Sequence, residues 1–155
     1  MTFRIRGLSR EPFAPLFALD DKALAARGVQ RLTAVEPNAA PCRISLVDAQ
    51  PGESLLLLHF EHHSADSPFR SGGPIFVREA ATQTFSEVGR IPGPIAMRTI
   101  SARAYDVQAM MVEGELVPGA DLPDLLNSWF RRPEVDIVHL HYARRGCYAA
   151  LAERT

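Results

Sequence analysis

The stretch His139-Leu140-His141-Tyr142-Ala143-Arg144-Arg145-Gly146-Cys147 gathers side chains that can do chemistry. Residues two apart on a β-strand face the same way, so His139 and His141 project from one face. Two imidazoles so placed offer two ligands to a transition ion, and a third ligand from elsewhere would complete a site. Arg144-Arg145-Gly146 fits a three-residue hairpin loop with Gly in the left-handed position. Closing the hairpin there sets Ala143 opposite Cys147 and His141 opposite Ala149. Cys147 then lies diagonal to His141, close enough for a base and a nucleophile to act together. A slip of one residue in the register undoes that pairing. The competing reading is a packed hairpin, its histidines bonded to carbonyls and its cysteine a small buried hydrophobe.

The other three histidines lie in "HFEHH", as His59, His62 and His63. In a regular strand His59, Glu61 and His63 share a face and His62 takes the other. A mixed His/Glu metal site would need this strand beside the His139 strand, and the spacing matches no firm metal signature. The following loop, "HSADSPFRSGGP", carries Ser67, Arg70 and consecutive glycines whose amides can form an anion-binding nest. Arg78 follows one strand later. Arg103 and Tyr105 share a face of another strand, with Arg98 at the opposite parity. An arginine in an apolar strand needs a carboxylate such as Glu61, Glu79 or Asp106, or else a ligand. There is no phosphate-binding Gly-rich loop ending in Lys-Ser/Thr, no GxGxxG, no HExxH and no Ser nucleophile elbow.

The chain that must position these groups has 155 residues, enough for one globular domain (1–155) with its own core. Apolar residues make up 46% and charged residues 23%, which suits a soluble protein and leads us to expect a cytoplasmic one. The longest aliphatic run, Leu55 to Leu58, is far too short to span a bilayer. A net charge of −1 gives no pull toward nucleic acid or membrane. Lys22 is the single lysine against sixteen arginines, a bias that coding composition explains, although arginine is also the better clamp for carboxylate or phosphate. Two cysteines, Cys42 and Cys147, are too few for a disulfide scaffold.

Strand signals fall at Phe3 to Arg6, Cys42 to Val47, Leu55 to His63, Ile75 to Glu79, Met97 to Tyr105, Ala109 to Val117, and on both sides of the Arg144 loop. The Leu55 strand is apolar on both faces and reads as central. Helices are expected at about 20–27, capped by Asp20 and ended by Gly28, and at about 121–130. In the second, Asp121 caps, Pro123 fits the first turn, and Leu125, Leu126, Trp129 and Phe130 form the apolar stripe. Strands in succession with a helix near each end predict an α+β fold: a single, mainly antiparallel twisted sheet of about six strands with those helices packed on it.

The order "PCRISL…DA", "SPFRSGGPIFVRE", "RAYD" and "HLHYARRGCYAA" resembles a bacterial family known as domain of unknown function 1203, over nearly the whole chain. The resemblance implies a small single-domain soluble protein and assigns no activity, cofactor or catalytic role. It touches Cys42-Arg43, His62, Ser67 to Arg70, Arg78, Arg103 to Tyr105 and His141 through Cys147, departs from the family pattern at Tyr142, and does not extend to His59 and His63.

Three functions remain open. One is a domain, or an enzyme, that binds a small acidic molecule or anion. Its pocket would be lined by His62, Ser67, Arg70, Arg78, Arg103 and Tyr105, with His141 and Cys147 as the catalytic pair. The second is a non-enzymatic interaction protein, such as a homodimer joined through a sheet edge. The third is a transition-metal protein using His139 and His141. No cofactor is named by the sequence.

Overall fold

A computed structural model describes residues 2–155. The chain is α+β, with nine strands in two antiparallel sheets among the described residues. The single sheet expected from the sequence is therefore two. The larger contains β1 (Phe3–Arg6), β5 (Ser86–Val88), β6 (Thr99–Tyr105), β7 (Met111–Pro118), β8 (Ile137–Tyr142) and β9 (Tyr148–Arg154), in the order β5-β1-β9-β8-β6-β7. The smaller contains β2 (Gln30–Thr33), β3 (Ser54–His63) and β4 (Ser71–Arg78), in the order β2-β3-β4. The apolar strand read as central is β3, in the middle of the smaller sheet. Among the described residues, four short α-helices, α1 (Ala14–Phe17), α2 (Asp21–Ala25), α3 (Gly93–Ala96) and α4 (Leu122–Trp129), and a 3-10 turn at Gly119–Asp121 complete the fold. None of the described helices is long and apolar enough to cross a membrane.

The two faces of the larger sheet differ in chemistry. Ala102 and Ala104 of β6, Val138 and Leu140 of β8, and Ala150 and Ala152 of β9 join one buried cluster with Leu122, Leu126 and Trp129 of α4. Period-two alternation sends their neighbours, Arg103, His139, His141 and Leu151, to the other face. A second cluster unites Leu56 and Leu58 of β3, Ile75 and Val77 of β4, Leu24 of α2, and Phe13.

Several local expectations are corrected. Residues 42–47 do not form a strand; they make turns flanked by isolated bridges, Pro41 to Asp48 and Cys42 to Phe76. This segment links the sheets, because the Arg43 amide donates to the Phe76 carbonyl (3.0 Å) and the Arg43 carbonyl accepts from Leu8 (2.7 Å). Its backbone passes so close to Gly7 that a Cβ there would lie 2.1 Å from the Ile44 carbonyl oxygen, so only glycine fits. Gly72 and Gly73 belong to β4 rather than to an anion nest. The irregular segment before β6 contains β5 and α3. Asp20 caps α2 by accepting from the Ala23 amide (2.8 Å), as expected, whereas the side chain of Asp121 caps nothing on α4.

A candidate metal centre of three histidines

The histidine face of the larger sheet is covered by the end of β3. A β-bulge falls between Phe60, which pairs with Gly73, and His63, which pairs with Ser71. One extra residue on β3 breaks the strict alternation of side chains. As a result His62 and His63, which a regular strand would send to opposite faces, both reach the same cluster. Their ring centroids lie 5.7 and 5.2 Å from that of His139.

The β8–β9 hairpin supplies the rest through a second bulge. From Ile137 to Leu140 the register is the expected one, with His139 opposite Leu151 and Leu140 opposite Ala150. At His141 it shifts by one residue, so His141 faces Tyr148 rather than Ala149. The loop is also longer than three residues: the Gly146 amide donates to the Tyr142 carbonyl (2.7 Å), and the Tyr142 amide to the Cys147 carbonyl (2.9 Å). Gly146 does adopt the left-handed conformation, at φ 81°. The shift moves Cys147 opposite Tyr142, on the side away from the histidines, among the groups around Arg43. The diagonal His141–Cys147 pair expected from a regular hairpin is therefore not formed. In its place Tyr148 joins the histidine face and stacks on His62, centroids 5.0 Å apart and planes within 9°.

One nitrogen from each of His62, His139 and His141 lies within 4.8 Å of the others. His141 Nδ1 sits 2.9 Å from the Gly146 carbonyl oxygen. A carbonyl can only accept, so Nδ1 carries the proton and Nε2 is left with a lone pair. That Nε2 is buried and has no partner among the described residues, and neither has Nδ1 of His139. His62 Nε2 lies 3.1 Å from the Ser71 hydroxyl.

Burial is the main reason why all three rings resist protonation. It lowers His139 to about 3, helped by the neighbouring His63, His62 and His141 and by Arg103. It lowers His62 to about 4 and His141 to about 4, with Arg103 the largest charge acting on each. Neutral imidazoles with free lone pairs are the form that a metal requires.

An open cleft of about 450 Å³ reaches this group at His62, His139 and Tyr148, with Phe60, Asp106 and Asp136 among its other walls. His63 closes one side. It stacks on Tyr105 (4.2 Å) and its Nε2 donates to the Ala109 carbonyl (3.0 Å), which also accepts from the Ser67 hydroxyl (2.9 Å). Arg103 is opposite His139 in the β6–β8 ladder.

The remaining residues singled out from sequence lie apart from this group or are engaged elsewhere. Arg70 is exposed and paired with Glu61. Arg78 is held by Glu53 (2.6 Å) and Ser45 (3.1 Å). His59 is exposed on the smaller sheet. Tyr148 was missed by sequence reasoning, because only the hairpin bulge brings it to this face.

No curated protein and no solved structure matches the chain. A family model does, over a span that contains all three histidines together with Arg103 and Tyr148. The chain belongs to the family described as protein of unknown function (DUF1203), whose model matches residues 39–154.

Proposed function

We propose that this protein binds a divalent first-row transition ion, zinc being the simplest fit, through His62, His139 and His141. The observation that carries the reading is the convergence of three neutral imidazoles, two of them with buried nitrogens that nothing else satisfies. Buried polar atoms without partners are costly, and a metal bound through those two nitrogens would remove that cost at both rings at once. Metal–nitrogen bonds of about 2.0–2.1 Å require the rings to close in by roughly an ångström. The second shell supports the set: the Gly146 carbonyl fixes His141, Ser71 contacts His62, and Tyr148 stacks on His62. Three protein ligands leave a position for an exchangeable ligand, an arrangement associated with catalytic rather than purely structural sites. The cleft beside His62 and His139 gives a small molecule access.

The rival reading is an interaction protein joined through the free edge of β7. There the Gly114 and Leu116 amides donate to the side chains of Glu113 (3.2 Å) and Glu115 (3.1 Å). Those carboxylates occupy amides that an added strand would need and place negative charge along the edge, which disfavours it as a template.

The test is elemental analysis of untagged, chelator-free protein, with zinc and cobalt titrations of the metal-free form. We expect about one equivalent of tightly held ion in the wild type and its loss in His141→Ala. A folded wild type that takes up neither ion sinks the proposal.

A further inference from the structure

Among the described residues, the interior arginines of this chain are matched with acceptors, with one exception. Arg78 is matched by Glu53, and Arg98 by Asp48 at 3.1 Å. Arg43 donates to the carbonyls of Tyr148 (2.6 Å) and Pro41. Arg103 is part-buried, yet its one hydrogen bond among the described residues is from Nε to the Ser101 hydroxyl (3.2 Å), and it forms no ion pair there. A guanidinium offers five N–H donors and stays charged at any ordinary pH. The other four donors have no acceptor among the described residues, and the nitrogens that carry them are open enough for a ligand to reach.

The surroundings sharpen the mismatch. In the β6–β8 ladder Arg103 is opposite His139, and Ser101 is opposite His141. The Nε–Ser101 bond thus lays the guanidinium along β6 beside both histidines. Side chains directly opposite on adjacent strands have Cβ atoms about 5 Å apart. A divalent ion on three neutral histidines would therefore sit beside a permanent positive charge, with no carboxylate among its protein ligands. Of the carboxylates that line the same cleft, Glu61 is paired with Arg70 and Asp106 accepts from the Gln108 and Met110 amides, so such a group of charges attracts an anion from solution.

We infer that the exchangeable position of the metal takes a small oxyanion, a carboxylate or a phosphate, with one oxygen on the ion and the others on the Arg103 guanidinium. This inference rests on the three-histidine metal reading and names the ligand class of that same site. The geometry suits the chemistry. Arginine presents parallel N–H bonds that match two oxygens of one carboxylate or phosphate. A spherical halide or a lone water could meet the metal but could not fill the fork as well. Arg103 is then a binding residue for the anion and not a ligand for the metal.

The experiment uses the full chain loaded with Co²⁺, whose visible absorption reports its coordination. Acetate and inorganic phosphate are titrated separately into the wild type, Arg103→Met and Arg103→Lys, after circular dichroism has established that each is folded. We expect saturable spectral changes in the wild type with at least one of the two anions. Arg103→Met should bind Co²⁺ as well as the wild type but hold that anion at least about tenfold more weakly. Arg103→Lys, which keeps the charge and loses the fork, should fall between them, and it serves as the test if the methionine variant does not fold. Whichever anion saturates at lower concentration identifies carboxylate or phosphate as the natural head group. Co²⁺ bound in all three proteins with equal anion affinities, or with no anion response, overturns the inference and leaves the metal site standing. Failure of the wild type to bind Co²⁺ overturns both.

Discussion

His139 and His141 are chemically ordinary residues made unusual by desolvation. Their protonation is shifted to about 3 and about 4, first by burial and then by neighbouring rings and Arg103. An unfolded chain has ordinary histidines, with pKa near about 6.5. The sign follows. As pH falls through the unfolded value, the unfolded state takes up protons and the folded state does not, so the folded state loses ground. The stability associated with these two rings is therefore full above about pH 6.5 and declines from there to about pH 4 for His141 and about pH 3 for His139, by up to about 1.4 kcal/mol per pH unit for each ring. Urea titrations of metal-free protein at intervals from pH 4 to pH 8 should show this slope, reduced in His139→Leu. A slope equally steep in that variant would refute the assignment. The same low values mean that protons compete poorly for the proposed metal site. Zinc affinity should be nearly flat from pH 8 down to about pH 5.5, whereas a surface histidine cluster would already be losing its ion.

The elements show which parts of this arrangement were legible in the sequence and which were not. Alternation along His139-Leu140-His141 placed two rings on one face, and it did so because a strand's side-chain period is fixed by the backbone. The helix at Asp21–Ala25 was legible for a similar reason: Asp20 and Gly28 act locally, through a side-chain cap and a left-handed residue. The third nitrogen of the proposed metal site and the stacking tyrosine were not. The sequence reading puts His62 in one ligand pocket with His141 but not among metal ligands with His139 and His141, because that partnership depends on pairing between segments more than 70 residues apart. Both arrangements also depend on bulges, which carry little sequence signal of their own. Gly72 illustrates the difficulty. Gly-Gly-Pro reads as a turn, yet Gly72 is in β4 because a Cβ there would lie 2.8 Å from the His59 ring and 2.9 Å from the Phe60 carbonyl oxygen. The hairpin bulge makes a paired prediction. Tyr148→Leu removes the ring stacked on His62 and should weaken zinc binding about tenfold, as loss of outer-shell support typically does. Cys147→Ser alters the opposite face and should leave zinc affinity unchanged. Equal losses in the two variants would mean that the shifted register at His141 is wrong.

Taken as a whole, the molecule has to hold two sheets in fixed relation if β3 is to deliver His62 to the histidines of β8. The crossing segment 41–48 does this, and Arg43 is its centre. Arg43 is 3% exposed and has no carboxylate partner among the described residues. Its guanidinium instead donates to the carbonyls of Pro41 and Tyr148 and lies over the Tyr142 ring at 5.1 Å. Arg98, anchored on Asp48, lies over the same ring at 5.2 Å. Burial opposes the charge on Arg43 and lowers its pKa, while the carbonyls and the ring offset part of that cost. Because the Tyr148 carbonyl is one of its acceptors, Arg43 links the crossing segment to the residue that stacks on His62. Arg43→Met preserves much of the side chain's length and apolar stem but leaves two carbonyls without their donor. Each such loss costs about 1–3 kcal/mol, so we expect destabilisation on the order of 3 kcal/mol and a drop in Tm of roughly 10 °C. The same variant should bind zinc more weakly, although Arg43 would touch no metal. A mutation that only loosened the core would lower Tm and leave the zinc affinity of the folded protein intact. Thermal melts together with zinc titrations well below the transition separate the two cases, and unchanged zinc affinity in folded Arg43→Met would show that the crossing segment does not position the site.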